Sequence, residues 1–221
     1  MILRNFIVFE GIDGSGTSTQ LTLLRKRQGT GRFLFTAEPS SAATGTFLRQ
    51  MLRGDVPVSN ETAAYLFAAD RNEHVNGSLV TDGDRHLITG IREACAQGHT
   101  VVSDRYLFSS LAYQSIGCNP ELPRRLNSAF PLPSLLFYFA IAPETALARI
   151  QGRGVQEIYE KQPFLERTVQ EYRRAIGEFA GSGMKTIELD ATRSIEETAA
   201  IIWKEIEARQ AEPAPQPGTE C

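Results

Sequence analysis

Short apolar runs, each closed by a glycine, proline or polar residue, alternate along the chain with longer segments whose apolar residues recur every three or four positions. The first run, Phe6-Ile7-Val8-Phe9, is unbroken and made of β-branched and aromatic residues. A strand buried on both faces has this pattern, because no position looks toward water. Four further runs predict strands: Arg32–Thr36, Thr100–Ser103, Leu135–Ile141 and Lys185–Leu189. The intervening segments predict helices. They are Ser18–Arg27, with Leu21 and Leu24 on one face, Thr44–Arg53, Glu61–Asn76, and Asp84–Gln97 closed by Gly98. Another opens at Pro143, and a long charged one covers Glu157–Phe179. The last, Ser194–Arg209, starts with Ser194 and Glu197 spaced as a capping box. Strand–helix alternation of this kind predicts an α/β fold, a parallel sheet with helices on both faces.

After Arg209 the pattern stops. Prolines alternate through Ala211–Gly218 with no apolar period, so residues 210–221 read as a disordered tail and residues 1–209 as one folded domain. Apolar residues make up 42% of the chain, enough for a sizeable core. With 23 basic and 26 acidic residues the formal net charge is -3, which argues against a nucleic-acid coat or a basic membrane-surface protein. No apolar run is long enough to span a bilayer, and the start lacks the features of a secretory signal, so a cytoplasmic protein is expected. Cys95, Cys118 and Cys221 are an odd number without a CxxC pair, and the histidines are scattered. Neither a disulfide framework nor a zinc site is expected.

The candidate chemistry begins where the first strand ends. Gly11-Ile12-Asp13-Gly14-Ser15-Gly16-Thr17-Ser18 lies between a strand and a helix and nearly matches a phosphate-binding loop. Glycines let backbone N–H groups converge on phosphate oxygens, and the helix N-terminus favours an anion. Ser18 offers a hydroxyl to Mg²⁺. The position that ordinarily carries the loop lysine holds Thr17, which cannot bring positive charge to the terminal phosphates. The plain alternative is a glycine-rich turn with no ligand.

Phe9-Glu10-Gly11-Ile12-Asp13-Gly14-Ser15-Gly16, followed by Ser18-Thr19-Gln20, resembles the opening of thymidylate kinases, which phosphorylate dTMP. Further segments match that family in order: Glu38-Pro39; Leu66-Phe67-Ala68-Ala69-Asp70-Arg71; Asp104-Arg105-Tyr106 continuing into Ser109-Ser110-Leu111-Ala112-Tyr113-Gln114; and, more weakly, Arg149, Arg153-Gly154, Glu157, Phe164, Arg167 and Tyr172. The resemblance covers about residues 6–175. It implies a P-loop three-layer sandwich with a five-stranded parallel sheet and a small lid at about 149–160.

On that resemblance the loop from Gly11 to Thr19 holds ATP, and Ser18 with Asp104 holds Mg²⁺. Asp13, Glu38, Pro39, Arg49, Phe67, Arg71, Arg105, Ser109, Ser110, Tyr113 and Gln114 bind dTMP. Asp13, Arg105, Arg149 and Arg153 serve catalysis. Phe67 and Arg71 share one helix face, an aromatic plate beside a guanidinium. In the resemblance Phe67 stacks on thymine and Arg71 grips the phosphate. Gln114 suits a pyrimidine edge, and Tyr113 a deoxyribose. The resemblance also implies a homodimer.

Thr17, Ala37 in place of the arginine before Glu38-Pro39, and Ile158 in the lid leave three cationic positions neutral. Arg149 or Arg153 is the expected substitute for the loop lysine. Two other readings stay open: a deoxynucleoside kinase, and a nucleotide-binding protein that has lost its chemistry.

Overall fold

The computed structural model describes residues 1–28, 32–77, 80–82, 85–87, 89–150, 159 and 162–211. Its centre is β1 (Ile2–Glu10), whose last five residues, Phe6 to Glu10, are all buried. Four more strands lie parallel to it: β2 (Phe33–Ala37), β5 (Thr100–Asp104), β6 (Leu132–Ala140) and β7 (Lys185–Asp190). The order is β2-β5-β1-β6-β7. In β6 every residue from Leu132 to Phe139 is buried. Successive side chains of a strand point to opposite faces, so burial without alternation means that helices cover both.

One group of helices comprises α1 (Thr17–Gln28) and α9 (Ile195–Ala211), which touch each other and the sheet. The other comprises α3 (Asn60–Asn76), α4 (Ile91–Ala96), α5 (Leu107–Gly117), α6 (Glu121–Asn127) and α8 (Gln162–Glu178). On α8 the buried residues Leu165, Thr168, Tyr172 and Ala175 fall at helical spacing, one stripe against the core. Two shorter helices complete the described chain, α2 (Ala43–Leu52) against α3 and α7 (Pro143–Ile150) against α8. The expected five-stranded parallel sheet is thus present.

The segment expected as one helix over Asp84–Gln97 is built differently. Val80–Asp82 (β3) pairs antiparallel with Arg85–Leu87 (β4), and among the described residues of the segment only α4 is an α-helix. In the sequence Gly83-Asp84 separates the two paired runs, a two-residue turn signal that outweighs the weak helical period. Helices α5 and α6 were not anticipated as elements. Gln210 and Ala211, expected in the tail, continue α9. The rest of that tail and most of the expected lid lie outside the described residues.

This topology gathers the loops after β1, β2 and β5 at the carboxyl edge of the sheet, where the strand order reverses. Open α/β sheets form their binding crevices there.

Candidate active site

Two cavities open at that edge. The first surrounds the loop between β1 and α1. Gly14 and Gly16 adopt φ angles of 84° and 96°, a region that side chains disfavour. At Gly14 a Cβ would also lie 2.4 Å from the Ala146 carbonyl oxygen of α7. Glycine therefore lets the loop close down on α7, and the first N–H groups of α1 are left for an anion. The cavity is lined by Ile12 to Gln20, Asp104, Arg105, Arg149 and Arg193, among others.

Ser18 Oγ donates to Asp104 Oδ2 at 3.2 Å. The other oxygen of that carboxylate, Oδ1, is buried with no hydrogen-bond partner among the described residues. Burial holds the carboxyl above its usual range, against the opposing pull of Arg105 and of hydrogen bonds from Thr17 and Ser18. An unpartnered buried carboxylate oxygen beside a hydroxyl fits a hard divalent cation. No cluster of three or more acidic, His or Cys side chains exists among the described residues, so phosphate oxygens and water would complete such a shell. The position of the missing lysine is thus occupied by a neutral hydroxyl side chain in the wall of the same cavity. A cation stands nearby instead. Arg149, at the end of α7, donates to the Gly14 carbonyl at 3.3 Å and to the Ala191 carbonyl at 2.9 Å. Arg153, with the lid positions Glu157, Ile158 and Glu160, lies outside the described residues.

The second cavity is narrower and more apolar. It is lined by Asp13, Glu38, Pro39, Leu52, Phe67, Arg71, Arg105, Tyr106, Ser109, Ser110, Tyr113, Gln114 and Tyr159. All the residues expected around the acceptor are here except Arg49. Arg49 faces another hollow, with Ser18, Ala37 and Asp104. Its guanidinium donates to the Ser40 carbonyl at 2.7 and 2.9 Å and to the Pro39 carbonyl at 3.1 Å. It braces the Glu38–Ser40 loop from outside. The Glu38-Pro39 peptide in that loop is cis.

Arg71 differs from the bare phosphate clamp read from the sequence. It is 1% exposed. Its Nε and Nη2 donate to Glu38 Oε2 at 3.0 and 2.7 Å, Nη2 also donates to Ser110 Oγ at 3.0 Å, and Nη1 donates to Asn127 Oδ1. Four of its five N–H groups are therefore spent, and its charge is paired with Glu38, which His74 Nδ1 also approaches at 3.1 Å. Asp70 does not pair with Arg71. It accepts from Ser40 N at 2.7 Å and from the hydroxyls of Ser40 and Thr44 at 2.6 Å each, fixing the loop after Pro39.

Asp13 and Arg105 line both cavities. Arg105 has a φ of 70°, unusual for a residue with a side chain and costing roughly 1–3 kcal/mol. Its Nη2 donates to Asp13 Oδ1 at 2.6 Å, and its Nη1 reaches the Gly11 carbonyl at 3.1 Å. Nε–H and a second Nη2–H are outside these bonds. At the other end Tyr113 Oη and Gln114 Oε1 are buried without partners among the described residues. Buried polar atoms are rarely left so, and both stand in the wall of a cavity that a ligand could enter. Tyr159 and Phe164 stack at 5.0 Å, with Tyr113 at 5.6 Å from Tyr159, making an aromatic rim.

Sequence reasoning passed over Glu10, Tyr159, Asn127, His74 and Arg193. Glu10 reads as the end of a strand, and its network comes from residues 96 to 162 positions away. Asn127 sits on a helix that was not anticipated.

Comparison with known proteins places this geometry in context. The family model described as thymidylate kinase matches residues 9–202. A putative thymidylate kinase of Treponema pallidum is 41% identical over 199 residues, covering 88% of this chain and 91% of the relative. A probable thymidylate kinase of Methanocaldococcus jannaschii is 36% identical over 199 residues, covering 89% and 93%. The solved structure of thymidylate kinase from Candida albicans superposes with a TM-score of 0.72 over 93% of this chain and 92% of that one, at 22% identity, a likeness of fold.

Proposed function

The chain belongs to the thymidylate kinase family, and from that premise we propose that it transfers the γ-phosphoryl group of ATP to dTMP, giving dTDP and ADP. The observation that carries this reading is the meeting of the two cavities at Asp13 and Arg105. A donor phosphate on the α1 N-terminus and an acceptor phosphate at Arg105 would then face one another. Holding both in line is most of what phosphoryl transfer needs from a protein.

In this reading backbone N–H groups from Gly14 to Ser18 bind the donor phosphates. Arg105 presents Nε–H and Nη2–H to the acceptor phosphate. Phe67 stacks on the base, and Gln114 with the remaining N–H of Arg71 meets its polar edge. Arg71 therefore serves the base rather than the phosphate, because Glu38 already holds its fork. Tyr113, over which the Arg105 guanidinium lies at 5.6 Å, packs against the sugar. Ser18 and Asp104 would hold Mg²⁺, which when bound neutralises charge on the phosphates. Arg149, already on the loop at Gly14, supplies the cation that Thr17 does not.

Two finer assignments belong to the same reading. The protein acts in the cytoplasm, consistent with no described helix being long and apolar enough to cross a membrane. It forms a homodimer, for which Phe47 on α2 and Tyr65 on α3 are exposed aromatic surface, 37% and 56% accessible. Sedimentation of the purified protein tests the dimer.

Coupled measurement of ADP release with ATP and either dTMP or thymidine tests the activity. Turnover with dTMP and not thymidine is expected. Turnover with thymidine alone would make the protein a deoxynucleoside kinase. Nucleotide binding without ADP release would make it a catalytically silent relative.

A further inference from the structure

Glu10, the last residue of β1, is 0% exposed and lines neither cavity. Its carboxylate nevertheless gathers four donors. Oε1 accepts from Tyr106 N at 2.8 Å and from Ser109 N at 3.1 Å. Oε2 accepts from Ser109 Oγ at 2.7 Å and from Tyr172 Oη at 3.0 Å. A carboxylate offers about four lone-pair sites, so all are used.

Of the two backbone donors at the start of α5, Tyr106 N has no backbone acceptor among the described residues, and Ser109 N is shared between Glu10 and the Tyr106 carbonyl at 3.1 Å. The α5 N-cap residue, Tyr106, makes no side-chain cap of its own, so Glu10 caps this helix from another element. The two hydroxyls each have one proton; they lie 2.8 Å from each other, where either can donate, but the charged acceptor at 2.7 and 3.0 Å draws both protons to Glu10. They can then only accept from elsewhere, and Arg105 Nη1 lies 3.3 Å from each. The direction of every bond from carboxylate to hydroxyl to guanidinium is set at Glu10.

We propose that Glu10 is a positioning residue of the acceptor site, orienting the Arg105 guanidinium through Ser109 and Tyr172 and fixing the start of the helix that carries Tyr113 and Gln114. The inference rests on the dTMP reading given above. The titratable groups bearing on Glu10 are Arg105, Tyr113, Tyr138 and Tyr172. Arg105, the one cation among them, is itself engaged by Asp13. The ionised carboxylate, the form that prevails above about 7, only accepts and keeps that cation aligned; a group that also donates would compete with it for the same hydroxyl oxygens, so the constants are compared at about pH 8.

Glu10→Gln keeps the shape and turns one acceptor into a donor. The expected result is a KM for dTMP raised about tenfold, a lower kcat and an unchanged KM for ATP. Glu10→Asp, which keeps the charge, should recover part of the loss. Tyr172→Phe, which removes one hydroxyl and keeps the ring, should shift the dTMP constants in the same direction. Its effect should not add fully to that of Glu10→Gln. A folded Glu10→Gln protein with wild-type constants for dTMP overturns the inference. If Glu10→Gln does not fold, wild-type dTMP constants in Tyr172→Phe overturn it. Wild-type protein that makes no ADP from dTMP overturns the underlying functional reading and this inference with it. Wild-type turnover with unmoved variants overturns this inference alone.

Discussion

At the residue scale the site turns on where charge sits. Thr17 leaves the phosphate loop without its cation, and Arg149 already touches the loop at Gly14. Removing one electrostatic donor from a transition state costs ~3–4 kcal/mol. Arg149→Ala should therefore lower kcat by roughly 10²–10³-fold, and Thr17→Lys placed in that variant should recover most of the loss. Steady-state kcat with saturating ATP and dTMP checks both; an Arg149→Ala enzyme at wild-type rate would remove Arg149 from catalysis. Glu10 gives a second prediction. Burial pushes its carboxyl from 4.5 up to about 7. Between those values the folded protein keeps a proton that the unfolded chain releases. The stability from this group is thus complete below the lower value and is lost as pH rises through the upper one. Wild type should lose more stability than Glu10→Gln when denaturant midpoints are compared at about pH 5 and about pH 8. The loop, Asp104, Arg105 and Phe67 were legible because adjacent residues with fixed chemistry carry their signal. Glu10 and the Glu38–Arg71 pairing were not, since their meaning lies in partners 33 to 162 positions away.

At the element scale, α3 and α9 announce their own starts with a capping serine and α5 does not. α3 starts with Ser59, whose hydroxyl accepts from Thr62 N at 3.2 Å. Ser59→Ala should cost ~1 kcal/mol of stability, read from a denaturant midpoint, while KM for ATP stays unchanged. α5 has no such residue, and its cap comes from β1. A local pattern cannot display a cap supplied from 96 positions away, which is one reason α5 went unread as an element. The β3–β4 hairpin failed for the opposite cause. The sequence signal at Gly83-Asp84 is local and visible, but the strands on either side are three residues each. Runs that short carry almost no periodicity to set against a helical reading. β1, β5 and β6 were recovered because burial on both faces makes them continuous apolar runs, whereas the edge strand β7 is mostly exposed and carries no such run.

At the scale of the whole molecule, the fold divides recognition between separate groups of elements. The donor cavity is built on α1, the end of α7 and the start of α9, and the acceptor cavity on α3, α5 and Tyr159. Among the described residues they share only Asp13 and Arg105. A lesion deep in the acceptor cavity should therefore leave donor binding intact. Phe67 is the test, since it belongs to α3, packs on a small cluster with Leu48 and Met51, and does not line the donor cavity. Loss of base stacking costs ~1–3 kcal/mol. Phe67→Ala should weaken dTMP binding by about tenfold or more with little change for ATP. Ligand-induced stabilisation reads both at once, because a ligand that binds only the folded state raises stability in proportion to RT ln(1 + [L]/Kd). In Phe67→Ala the thermal shift given by dTMP should shrink sharply while the shift given by ATP persists. Equal loss of both shifts would mean that the cavities are one coupled site, and retention of both would remove Phe67 from the base.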